Sequence, residues 1–124
     1  MVKSIAVSCP PRINDIIVLA IRNYVDVAFP SGSAECALVA REALLDAVKE
    51  FEWSCQNTGK GSYNRRMRAM VREAIKLHYR LLEKDEGRSF ACQCAAVTEA
   101  CEGIAKTDEE IRAAEEKDNR SGTD

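Results

Sequence analysis

The chain has 124 residues, 46% hydrophobic and 31% charged, with a formal net charge of −2. That length suits one domain, or one small domain with an appendage, and a modest core that self-association would enlarge. No apolar run approaches the ~18 residues a membrane span needs, so no membrane partner is expected.

Residues 1–20 lack the order of a secretory signal. Pro10 and Pro11 interrupt it, and Arg12 and Asp15 fall where an apolar stretch should be. A cytoplasmic location is therefore expected, where thiols stay reduced. Most of the six cysteines sit where a small apolar residue would serve on a helix face, which reads as buried free thiols. Charge is unevenly spread. Residues 1–60 carry six Lys/Arg against seven Asp/Glu, residues 61–90 eight against four, and residues 91–124 four against nine. A basic centre is thus followed by an acidic end.

Taken in order, Lys3–Cys9 alternates Ile5, Val7 and Cys9 with Ser4, Ala6 and Ser8, the period-2 pattern of a short half-buried strand. Pro10 and Pro11 end it. Arg12 to Ala28 is predicted helical, with Ile13, Ile16, Ile17, Ala20 and Tyr24 on one face. Val18, Leu19, Ile21 and Val25 make much of the remainder apolar, so this helix must be covered on more than one side. Phe29 to Ser33 is a break, and a second helix runs from about Ala34 to Cys55, with Leu38, Leu45 and Val48, together with Ala37, Leu44 and Phe51, in its wide apolar stripe. Residues 57–62 (NTGKGS) read as a linker.

Ser62 to Glu83 predicts the most distinctive helix. Met67, Met70, Val71, Ala74, Ile75, His78, Leu81 and Leu82 share one side. Arg65, Arg68, Arg72, Lys76 and Arg80 share the other. The last four are spaced four apart, an arrangement that costs an isolated helix about 0.2–0.5 kcal/mol per pair. Such a helix calls for an anion, either a phosphate or the chain's own Glu99, Glu102 and Asp108–Glu110. Gly87 should stop it. Ser89 can cap a fourth helix, whose seam is Phe90, Cys94, Val97, Cys101 and Ile104. Thr107 with Glu110 forms a capping box for a last short helix, and the polar end at 119–124 is expected to be disordered. The expected fold is therefore mostly α, with a short N-terminal strand and four main helices. It divides into a head (1–56), a linker (57–62), a helical oligomerisation segment (63–118) and a tail (119–124).

No enzyme is expected. The single histidine, His78, lies among Met and Leu, and reads as an interface histidine rather than a general base. No nucleophile–base constellation is visible. Cys92-x-Cys94 with Cys101 lacks the paired CxxC knuckles of a structural zinc site, and Gly59-Lys60-Gly61-Ser62 lacks the spacing and preceding strand of a phosphate loop. No metal or other cofactor is expected.

The stretches IAVSCPPRI (Ile5–Ile13) and SAECALVAREALLDAV (Ser33–Val48) resemble the ribbon-helix-helix family of DNA-binding proteins, the Arc, MetJ and CopG superfamily. In that family two chains pair their strands into a ribbon that enters the major groove. The resemblance implies a dimer core of Ile5, Val7, Cys9, Ile16, Ile17, Leu38 and Leu45. It implies base-facing Ser4, Ala6 and Ser8, and a phosphate held near Ser31 and Ser33 at the start of the second helix. Over its whole length the plan is similar to the relaxosome accessory proteins of conjugative plasmids, the TraM type, in which a DNA-binding head carries a tetramerising helical tail. The implied function is a small homo-oligomeric DNA-binding protein, dimer or tetramer, with a regulatory or architectural role such as transcription regulation. Its partner would be duplex DNA.

The alternative is an all-α four-helix bundle with Lys3–Cys9 as an N-terminal arm. Such a bundle would be a non-enzymatic interaction protein, for example a phage- or plasmid-encoded inhibitor of a host protein or a binder of a small anionic ligand.

Overall fold

Helix α1 (Pro11–Ala28), apolar on most of its surface, sits at the centre of the fold. The computed structural model describes residues 4–8, 11–30, 32 and 34–121. Strand β1 (Ser4–Ser8) precedes α1. After it come α2 (Glu35–Thr58), strand β2 (Lys60–Asn64), a 3₁₀ turn at Arg65–Met67, α3 (Arg68–Glu86), α4 (Ala91–Cys101) and α5 (Asp108–Ser121). The protein is mostly helical with a short N-terminal strand, as its hydrophobic periodicity predicts, and that strand joins a second one in a two-stranded sheet. Among the described residues no helix is long and apolar enough to cross a membrane.

Ile13, Ile17, Ala20, Ile21 and Val25 of α1 are buried, and α2, α3, α4 and α5 all pack on this helix. Its cover therefore comes from its own chain. The buried face is rotated slightly from the predicted one, so Ile16 and Tyr24 are only half-buried while Ile21 and Val25 are inside. Ion pairs fasten the helices around it: Arg12–Glu115 (2.9 Å) to α5 and Arg22–Glu52 (2.7 Å) to α2. At the α1–α2 turn Arg41 pairs with Asp26 at 2.9 Å and donates to the carbonyl of Phe29.

The segment predicted as a linker, 57–62, belongs to α2 and β2 instead. Asn57 Nδ2 donates to the Trp53 carbonyl (2.8 Å) and Thr58 Oγ1 to the Ser54 carbonyl (2.7 Å). These polar residues thus bond back into the last helical turn rather than forming a turn of their own. Gly59, with φ 76°, closes α2 and its N–H bonds the Cys55 carbonyl. Strand β2 follows at once and pairs antiparallel with β1, Ile5 opposite Tyr63 and Val7 opposite Gly61. Gly61 is required there, because a Cβ at this position would come within 2.3 Å of the Phe51 ring of α2.

The start of α4 has a partner for each free donor. Glu83 Oε2 accepts the Phe90 N–H, and Ser89 Oγ accepts that of Ala91, as its predicted capping role requires. Asp118 of α5, only 2% exposed, accepts from Cys92 (3.0 Å) and Gln93 (2.9 Å). Helix α4 ends earlier than its apolar seam suggests. Gly103 takes φ 96°, its N–H bonds Ala100 O, and the Ile104 N–H bonds Glu99 O. That pair of bonds is a Schellman stop, and it leaves Ile104 exposed. Gly87 (φ 64°) stops α3, and Thr107 Oγ1 accepts the Glu110 N–H at 3.2 Å, both as predicted.

Cys36, Cys92, Cys94 and Cys101 are free thiols, of which Cys101 is buried and Cys36 exposed. Cys55 departs from the free-thiol expectation, being disulfide-bonded.

Candidate nucleic-acid interface

The β1–β2 ribbon has an inner and an outer face. Val7, Gly61 and Tyr63 are buried and Ile5 is partly buried, while Ala6, Lys60 and Ser62 are exposed on the other face with Asn64 half-buried. Alternation forces this division, since neighbouring strand residues point to opposite sides. Ala6 lies opposite Ser62, Ser8 opposite Lys60 and Ser4 opposite Asn64. No carboxylate occurs in either strand, SIAVS or KGSYN.

The ribbon is fixed to the body by its inner face. Val7 joins the same core as Ile13, Ile17, Phe51 and Val97. Tyr63 is buried and donates its hydroxyl to the Cys101 carbonyl at the end of α4. Burial, with Cys101 and Glu102 adding to it, raises the Tyr63 hydroxyl's pKa, so it stays a donor. The Cys101 thiol is likewise pushed up to about 12, chiefly by burial.

At the ribbon's end the cationic row of α3 begins. Neither the 3₁₀ turn nor the first turn of α3 contains an acid, so cations crowd the positive end of a helix. The compensating anion is Glu102, at the end of α4. Its Oε1 takes both Arg72 and Arg68, the latter at 3.3 Å. The hydrogen bond from Arg72, with that from Arg68 also contributing, holds the Glu102 carboxyl below its ordinary range. Lys76 is turned to Glu73 on its own helix at 3.5 Å. Among the described residues, the charged ends of Arg65 and Arg80 have no ion pair in the structure, and neither do those of Lys49 and Lys60.

A cleft of about 490 Å³ opens where these groups meet, lined by Ile5, Ala6, Arg65, Arg68, Glu102 and Ile104 among others. Two arginines face one carboxylate in it, and Arg68 Nε is buried with no hydrogen-bond partner. On the other flank, α2 runs beside β2, where Ser54 Oγ donates to the Lys60 carbonyl at 2.6 Å. A groove of about 770 Å³ lies here, bordered by Lys49, Trp53, Ser62 and Asn64.

The predicted residues divide accordingly. Arg65, Arg68 and Ala6 come together at the ribbon, and Ser4 and Ser8 lie on its strand β1. Arg72 is drawn to Glu102 and Lys76 to Glu73, while Arg80 lies further along α3, beside Lys76 and Glu83. Ser31, Ser33 and Cys9 lie outside the described residues. The dimer-core assignments meet a different environment. Val7 and Ile17 are buried within the single chain, Ile5, Ile16 and Leu45 are partly buried, and Leu38 is exposed. Of the apolar stripe predicted for α2, Leu44, Val48 and Phe51 are buried, whereas Leu38 and Leu45 are not. Sequence reasoning passed over Lys49, Trp53, Lys60, Ser62 and Asn64. Only the alternation of Gly61 and Tyr63 with Lys60, Ser62 and Asn64 could have marked the last three as strand residues.

Comparison with protein-family models, curated proteins and solved structures finds no match to this chain.

Proposed function

We propose that this protein is a non-enzymatic DNA-binding protein, regulatory or architectural in role, that presents its β1–β2 ribbon to duplex DNA. The observation that carries the proposal is the ribbon's outer face. It holds small polar residues and Lys60, no carboxylate, and it leads directly into Arg65 and Arg68. A two-stranded ribbon is narrow enough for the major groove, and small side chains let its backbone approach the base edges. Cations without ion pairs at Lys49, Lys60 and Arg65 are suited to phosphates on either side.

Pairing of β1 with β2 supports a ribbon made within one chain. A shared ribbon of the ribbon-helix-helix kind would have to use the edge of β1 that β2 leaves open. That edge is approached by Gly103, whose Cβ position is 3.6 Å from Ala6 O. The test is duplex binding followed by anisotropy over a salt series. With three phosphate contacts, log K should fall with log salt at a slope of about −3. Reversing Lys60 and Arg65 to Glu should abolish binding without unfolding the protein. Absence of duplex binding at low salt refutes the proposal.

A second reading, a protein-binding helical module, is favoured by one observation. Val27, near the end of α1, and Leu38 and Val39, early in α2, are large apolar residues left exposed. A complex that forms without DNA and is lost on Val39→Asp would support it.

A further inference from the structure

Building on the DNA-binding proposal, we propose that the groove between α2 and β2 takes one unpaired base, stacked on Trp53, so that the preferred substrate is duplex DNA with a single-stranded extension. Trp53 is the only tryptophan in the chain, and it is 64% exposed. Two residues earlier, Phe51 is buried against Gly61. Residues two apart lie on nearly opposite sides of a helix, so α2 commits one aromatic to the core and leaves the larger one outside it.

The groove beside Trp53 measures about 770 Å³, within the ~300–1,000 Å³ typical of small-ligand sites. Its composition selects the occupant. The indole offers a flat face, which every base can stack on. Lys49 lies one helical turn before Trp53 on the same side and lines the same groove, a cation at the position where the stacked nucleotide's phosphate would emerge. Ser62 and Asn64 of β2 line the groove across from α2, the first of them bringing a hydroxyl to it. Glu50 also lines the groove. Its carboxylate disfavours a phosphate inside and accepts from an exocyclic amine, as in pairing with cytosine N4. The base therefore lies inside and the phosphate at the Lys49 end.

The groove is continuous with the ribbon, because Ser62 belongs both to the groove wall and to the ribbon's outer face. A strand leaving a duplex seated on the ribbon passes directly into it. In a fully paired duplex every base is held in the stack, and extruding one costs a few kcal/mol. An extension supplies an unpaired base at no such cost.

The experiment compares labelled blunt duplex with the same duplex carrying a short single-stranded extension, using the full-length protein. The extended DNA should bind about tenfold more tightly and quench the emission of Trp53, which alone supplies the indole signal. Trp53→Ala should abolish the tenfold preference and leave blunt-duplex binding unchanged, and Trp53→Phe should keep part of the preference. Equal affinity for the two DNAs with unaltered Trp53 emission overturns the groove assignment while leaving ribbon binding in place. Failure to bind either DNA overturns both. A preference that survives Trp53→Ala also overturns the stacking site.

Discussion

Asp118→Ala should be among the most damaging single substitutions in this protein. The carboxylate is 2% exposed and accepts two backbone N–H groups, Cys92 at 3.0 Å and Gln93 at 2.9 Å, at the positive end of α4. Alanine leaves both donors, Gln93 buried and Cys92 half-buried, without a partner. A helix cap is worth about 0.5–2 kcal/mol when exposed. A buried unpaired donor costs about 1–3 kcal/mol. Attraction between a carboxylate and a partly buried helix end adds up to ~2 kcal/mol. These contributions overlap, so about 3 kcal/mol is expected for the alanine variant. Asp118→Asn should keep one acceptor oxygen but lose the charge and turn an amide toward the second N–H, for about 2 kcal/mol. Small domains are stable by about 5–15 kcal/mol, so either loss should be plain in urea unfolding followed by helical ellipticity. The m-value should be unchanged, because the folded state is the same. If Asp118→Ala lies within about 0.5 kcal/mol of wild type, the range of an ordinary surface change, the carboxylate is not the cap that holds α4 to α5.

Other substitutions test other joints. Gly61→Ala should destabilise by about 1–3 kcal/mol, since its Cβ meets the buried Phe51 ring, and Gly61→Ala combined with Phe51→Leu should recover part of the loss in the same unfolding assay. Tyr79→Phe should raise stability by about 1 kcal/mol, because the Tyr79 hydroxyl is buried with no hydrogen-bond partner; a lower thermal midpoint would contradict that placement. Glu102 has its folded-state pKa depressed, first by the bond from Arg72, so its contribution is present above its ordinary value of 4.5 and is lost as pH falls through the folded value. Acid titration of stability should therefore be shallower in Glu102→Gln than in wild type. His78 is half-buried and its pKa is lowered from 6.5 by desolvation, so it opposes folding as pH drops below that value; His78→Leu should flatten the stability profile there.

Much of the helical architecture was legible in the residues themselves. The 3.6-residue periodicity marked α1, α2 and α3, Gly87 and the Thr107–Glu110 box marked a stop and a start, and the nearly all-apolar surface of α1 announced a central helix. Alternation in β1 put Val7 inside and Ala6 outside without reference to any partner. The cationic row likewise demanded an anion before Glu102 was found beside Arg68 and Arg72.

Local pattern cannot say which distant segment satisfies a demand. Lys60–Asn64 has weak strand propensity and reads as the end of a linker and the start of the basic helix, because Gly, Ser and Asn usually punctuate chains. It becomes a strand because β1 supplies hydrogen-bond partners and Phe51 leaves room only for glycine at position 61. Asp118, in an acidic helix at the far end of the chain, reads as one more solvated charge. Only the packing of α5 against α4 carries it to two free amide groups. Periodicity and capping act within a few residues and can be read along the chain. Strand pairing, the burial of Asp118 and the meeting of Lys49, Trp53 and Ser62 around one groove depend on long-range closure. Tertiary structure decided those.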